Sequence, residues 1–177
     1  ILVVAQKIIS KAEGRQVDLQ SVTPSDRAKE LATKVGKDAR HVEMILQESG
    51  EILRVLKEAL ITEHRLGFVL ANAGVDQSNI DHGACEGGRV LLLPENPDRS
   101  AECLKEALDS RYGVKLGVII NDSAGRAWRN GIIGMAIGAA GVPSVQSLVG
   151  RPDLFGRPLR ITEQAAADEI ASAASLL

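Results

Sequence analysis

The chain has 177 residues, a formal net charge of −2, and one Trp, one Tyr and two Phe as its only aromatic side chains. So little net charge gives no bulk attraction to polyanions or anionic membranes, and so few aromatics leave no platform for stacking bases, which argues against nucleic acid and membrane as partners. No apolar run approaches the roughly 20 residues that span a bilayer, no signal-peptide pattern is present, and Cys85 and Cys103 are too few for a disulfide framework. A reducing, cytoplasmic setting is expected.

The β-branched run Ile1–Ala5 predicts a buried strand, and polar Gln6–Gly14 a loop. Thr23-Pro24 predicts a helix start, with Thr23 as N-cap and a stop near Gly36; Asp38 caps a second helix carrying Val42, Ile45 and Leu46 at helical spacing. Short apolar runs at Ile52–Leu56, Leu60–Glu63 and Phe68–Ala71 predict strands, followed by a long polar loop, Asn72–Gly88. Arg89–Leu93 is a further apolar run ended by Pro94. Ser100 caps a helix running to Tyr112 and stopped by Gly113, and Leu116–Ile120 forms a strand leading into Asn121-Asp122-Ser123.

The small-residue stretch Gly131–Gly141 predicts close backbone approach by a ligand or a neighbouring chain. Gly150–Arg160 is an Arg/Pro/Gly loop, and Thr162 caps a last Ala-rich helix. Helices and strands mix without strict alternation and no repeat is present, so the expected class is α+β, in one domain over 1–177, neither Rossmann nor P-loop. The start at Ile1 without Met and the unfinished helix at Ser175-Leu176-Leu177 suggest a piece of a longer protein.

Four segments carry chemistry. In Asn72–Asn79, Asp76 offers a hard oxygen for Mg²⁺ or Mn²⁺, with Ser78 and Asn79 beside it. Taken alone, that octet is better described as a turn whose Asn and Asp bond their own backbone. The stretch Ile119–Gly131 is more informative: a carboxylate, Asp122, and a hydroxyl, Ser123, at the end of an apolar strand suit a metal at a cleft. Arg126 and Arg129 supply forked donors for phosphate or carboxylate oxygens.

Gln6–Gly14 places Lys7, Ser10 and Lys11 after a buried strand, where lysines can hold phosphate as point charges, although the glycine spacing of a Walker A loop is absent. Gly150–Arg160 suits an anionic substrate and an interface equally. His82 and Cys85 do not make a zinc site, which needs four ligands. His64 reads as a packed or hydrogen-bonded residue, and no general base is assigned.

Taken in order, these segments resemble the coenzyme F420-0:L-glutamate ligase (F420-0:γ-glutamyl ligase) family. The matching pieces are Val4–Lys7 with Ser10–Gly14, Ala73–Asp76 with Ser78-Asn79, Asp122-Ser123 with Gly125-Arg126 and Trp128–Gly131, and Gly150–Leu159. The resemblance implies GTP-dependent addition of L-glutamate to coenzyme F420-0, a deazaflavin phosphodiester, through an acyl phosphate, with GDP and phosphate released. It implies two Mg²⁺ or Mn²⁺ per site, a K⁺ ion and a homodimer.

By position it implies Asp76, Asp122 and Ser123 as metal ligands. It also implies Lys11 and Asn79 as nucleotide contacts, with Gln6 and Lys7 in the same segment. The family normally continues before Ile1 and after Leu177, and some relatives carry a nitroreductase-like domain. Ala127 stands where proline is common. Two other readings remain: a non-catalytic nucleotide- and metal-binding relative, and a ligase for another acidic acceptor.

Overall fold

The computed structural model describes residues 1–81 and 88–177; His82, Cys85 and Glu86 lie outside the described residues. In chain order the elements are β1 (Leu2–Ala5), α1 (Gln6–Ala12), β2 (Gln16–Asp18), α2 (Asp26–Val35), α3 (Ala39–Glu48), β3 (Ser49–Leu56), β4 (Ala59–His64) and β5 (Val69–Ala71). They continue with β6 (Arg89–Leu91), α4 (Pro97–Tyr112), β7 (Val118–Gly125), β8 (Ile132–Ala140), β9 (Gln146–Ser147), β10 (Glu163–Gln164) and α5 (Ala166–Ala174), with short 3-10 turns at Leu19–Ser21 and Asn72–Gly74. Helices and mixed or antiparallel sheets in one chain make the fold α+β, as expected from the sequence. None of the helices among the described residues is long and apolar enough to cross a membrane.

The chain divides into two compact units. One comprises Ile1–Gln6, Asn96–Arg126 and Asn130–Leu177, and the other Lys7–Glu95 and Ala127–Arg129. In the first, the sheet order is β1-β7-β8, with β1 parallel to β7 and β7 antiparallel to β8. Val118, Ile119 and Ile120 are fully buried, and Ile119 packs with Ala167 and Ala171 of α5.

The glycines of β8 mark where the helices sit. A Cβ on Gly134 would meet the Ala171 carbonyl oxygen at 2.5 Å, and one on Gly138 the Pro97 carbonyl oxygen at 2.5 Å. The close approach expected at these glycines therefore comes from α5 and α4 of the same chain, not from a ligand or a second chain. Two amides of β8 are taken by helix carboxylates: Ala136 donates to Asp168 (2.8 Å) and Ala139 to Asp98 (2.9 Å).

In the second unit, α2 buries Ala28, Leu31, Ala32 and Val35, the spacing of one helical face. These side chains, with Val42 and Ile45 of α3 and Leu60 of β4, form one apolar cluster. Each fully buried large aliphatic contributes about 1.5–3 kcal/mol. β3, β4 and β5 form an antiparallel sheet, and β2 pairs with β6.

Several boundaries differ from expectation. The N-cap of α2 is Ser25, whose side chain accepts from Ala28, because Ser25 is also anchored by Glu43; Thr23-Pro24 lies just upstream. Gly36 ends α2 and Asp38 caps α3, as predicted. α4 starts at Asn96-Pro97 instead of Ser100, because Asn96 accepts from the Arg99 amide and Pro97 fits the first helical position. α5 starts at Ala166 with no side-chain cap, so Thr162 does not cap it.

Gln6–Ala12 is helix, not loop. Its buried positions are polar, Gln6 and Ser10, whereas Ile8 is 62% exposed, so hydrophobic spacing gives no helical signal.

Candidate functional site

Because α1 is a helix, Lys7 and Lys11 stand one turn apart on the same face. That face meets the segment that follows β5. Lys7 Nζ lies 2.6 Å from Asp76 Oδ2 and also donates to Ser78 Oγ, while Lys11 Nζ donates to the Asn79 carbonyl at 2.6 Å. Lys7, Lys11, Asp76 and Asn79, predicted as separate contacts, are thus brought together in one unit.

Asp76 sits at a junction. Its backbone N–H donates to Leu91 and its carbonyl accepts from Leu91, an isolated bridge to β6. Its Oδ1 accepts from the Ser78 amide at 2.7 Å, and its Oδ2 from Ser78 Oγ at 3.1 Å. The self-bonding turn is therefore present, and the second oxygen also faces a cation. Burial alone would raise the Asp76 pKa, but the hydrogen bonds from Lys7 and Ser78 outweigh it and hold the carboxyl below its ordinary value. It is an ionised, half-buried oxygen donor, which fits a hard divalent cation.

Asp122 and Ser123 belong to the other unit. β7 runs on to Gly125 because β8 keeps pairing with it as far as Gly125↔Ile132. The two residues therefore lie inside a strand, where they were expected just past its end. Asp122 is half-buried and accepts from the Ser123 amide at 2.8 Å; Ser123 is exposed. Successive strand residues face opposite sides, so the pair does not chelate one ion from one face.

Asn121, next to them, donates to Ser175 Oγ at 3.1 Å. Gln6 and Ser10 are buried on α1. Arg126 and Arg129 are exposed on the β7–β8 connection, and Arg126 donates to the Asn130 carbonyl at 3.5 Å.

Among the described residues, no three His, Cys, Asp or Glu side chains cluster to hold a metal by themselves. A site built on Asp76 accordingly suits an ion that takes most of its ligands from phosphate and water, the habit of Mg²⁺. Arg151, Arg157 and Arg160 are exposed on a hairpin whose turn is tied by Asp153, which accepts from the amides of Phe155 and Arg157.

Sequence reasoning missed a charge cluster around the buried carboxylate of Glu48. Glu48 takes Arg15, Arg65 and His64 on one carboxylate, and Arg15 also donates to the Leu93 carbonyl. His64 is buried and its Nδ1 accepts from the Leu66 amide, which matches the packed role expected of it. Opposite charges far apart in sequence gave no local signal of this cluster.

The family model described as F420-0:Gamma-glutamyl ligase matches residues 1–177. A coenzyme F420:L-glutamate ligase of Methanocaldococcus jannaschii is 46% identical over the whole chain, which covers 69% of that protein. Proteins of the same name from Methanopyrus kandleri and Archaeoglobus fulgidus are 49% and 44% identical over the whole chain, which covers 68% and 69% of them. The chain belongs to the F420-0:γ-glutamyl ligase family.

Proposed function

We propose that the protein is a GTP-dependent ligase that adds L-glutamate to coenzyme F420-0. The observation that carries this reading is the paired Lys7 and Lys11 over Asp76–Asn79, in a chain whose relatives are named for glutamate ligation to F420. Two ammonium groups on one rigid helical face suit the oxygens of a nucleotide polyphosphate.

The chemistry proceeds in two transfers. An acceptor carboxylate oxygen bonds the γ-phosphorus as the bond to the β-phosphate oxygen breaks, giving an acyl phosphate and GDP. The glutamate amine then bonds the acyl carbon, phosphate leaves, and the amine loses a proton. The first step needs alignment and charge neutralisation, not a protein nucleophile. Lys7 and Lys11 orient the phosphates, with Gln6 and Ser10 in the same segment and Asn79 as a further nucleotide contact, while Arg126 and Arg129 meet anionic groups. Asp76, Asp122 and Ser123 would hold two Mg²⁺ or Mn²⁺, which would supply positive charge to offset that of the phosphates.

The alternation of Asp122 and Ser123 along β7 supports separate ions for the two. A K⁺ ion, a homodimer and a cytoplasmic setting complete the proposal. Mass spectrometry of F420-0 incubated with GTP, Mn²⁺, K⁺, L-glutamate and the full-length protein tests it. Stepwise glutamate additions with GDP release are expected. An unmodified acceptor in the presence of bound GDP would instead mark a nucleotide-binding relative, and additions only to a different acid would move the acceptor.

A further inference from the structure

The chain enters Asp76 through an unusual backbone. Asn72, Ala73 and Gly74 have φ of 54°, 51° and 66°, three left-handed residues in a row. Only glycine adopts this region without penalty; asparagine tolerates it, and alanine does not favour it. Such a conformation persists only where its surroundings over-determine it, and it clusters at functional sites.

The surroundings here are specific. Asn72 Oδ1 accepts the Leu60 amide at 3.0 Å, fastening the turn to β4. The Asn72 carbonyl accepts the Val75 amide at 2.9 Å, Ala73 is fully buried, and a Cβ on Gly74 would meet Leu93 at 2.9 Å. Two residues after Gly74, the pair of backbone hydrogen bonds between Asp76 and Leu91 fixes the carboxylate's own backbone.

We infer that Asn72 is the positioning residue for Asp76: its side chain pins the left-handed turn to β4 and so sets the direction in which Asp76 presents its carboxylate to cation and phosphate. This rests on the ligase reading for what Asp76 binds. The turn itself stands on the backbone geometry. Groups that orient a metal ligand typically change metal affinity about 10- to 100-fold when removed.

The test compares Asn72→Gly, which keeps left-handed freedom and loses the acceptor, with Asn72→Asp, which keeps both. Mn²⁺ binding to the full-length protein at saturating GDP is read by electron paramagnetic resonance of the free ion, and amide exchange is followed at Asp76, Leu91 and Ile45. Asn72→Gly should weaken Mn²⁺ about tenfold or more and speed exchange at Asp76 and Leu91 but not at Ile45. Asn72→Asp should restore both.

Parental Mn²⁺ affinity in Asn72→Gly, or an equal loss in Asn72→Asp, overturns the role. A merely structural residue would lower the melting temperature and leave Mn²⁺ affinity of the folded protein unchanged. If Asn72→Gly does not fold, Asn72→Ser, with a shorter acceptor, is read the same way. Absence of GDP-dependent Mn²⁺ binding in the parent would sink the ligase reading itself, which separates the two failures.

Discussion

Lys7 Nζ stands 2.6 Å from Asp76 Oδ2, an ion pair joining the first helix to the turn beyond β5. A lysine so placed competes with any metal for the same carboxylate and also attracts phosphate. The two effects have opposite signs for Mn²⁺ alone and for nucleotide. Lys7→Met should therefore tighten Mn²⁺ binding in the absence of nucleotide and weaken GDP binding by about tenfold, roughly 1.4 kcal/mol. Calorimetric titration of each ligand checks this, and weakening of both would refute the competition.

If GDP and Mn²⁺ stabilise the protein as proposed, Asp122→Asn should lose most of the Mn²⁺-dependent part, because an amide replaces the proposed charged oxygen ligand. Ser123→Ala should lose less, as a neutral hydroxyl is the weaker donor. A melting series across Mn²⁺ concentrations distinguishes them. Parental behaviour of Asp122→Asn would remove β7 from the metal site.

Glu48 links α3 to Arg15, His64 and Arg65. Burial pushes its pKa up, but the hydrogen bonds from His64 and Arg65 and the charges of Arg65 and Arg15 prevail, so its folded value is below the ordinary one. A carboxyl depressed in the folded state contributes stability that is fully present above its unfolded pKa, near 4.3, and is lost as pH falls through the folded value. Glu48→Gln should cost about 1–3 kcal/mol at neutral pH, since it leaves the partly solvated Arg15 without its counter-charge. The variant's denaturant midpoint should also fall less steeply than the parent's below about pH 4.3. Urea titrations at several pH values provide the measurement.

Gly138→Ala and Gly134→Ala should each destabilise by about 1–3 kcal/mol, because the new methyl group meets the Pro97 or Ala171 backbone, and at Gly134 the Ser175 hydroxyl as well. Gly125→Ala is the control: a Cβ there meets nothing within 4 Å, so a change within about 0.5 kcal/mol is expected. Equal losses at all three would show that strand flexibility, not helix approach, sets the requirement.

Much of this was legible in the sequence where local rules operate. The α2 stop at Gly36, the α3 cap at Asp38 and the strand runs through Leu60 and Leu70 follow from caps and apolar spacing, which act within a few residues. α1 was not legible, because its buried side are Gln6 and Ser10 while Ile8 faces out. That inversion hid the helical spacing of Lys7 and Lys11, the feature on which the candidate site depends. Asp122 was misplaced because backbone pairing with β8, not side-chain hydropathy, carries β7 through its polar end. Glu48 and its arginines escaped because the partners meet only after the chain has folded.

The carboxylates of Asp98 and Asp168 have a bearing on association. They occupy the amides of Ala139 and Ala136 along β8, an outer strand of its sheet. An outer strand with free amides is a template on which another chain can add itself, as an assembly device or as an aggregation hazard. Here carboxylates from two helices occupy two of those amides, which removes both as donors to an added strand. The charge that packs α4 and α5 onto β8 thus also makes that edge a poorer template for sheet extension.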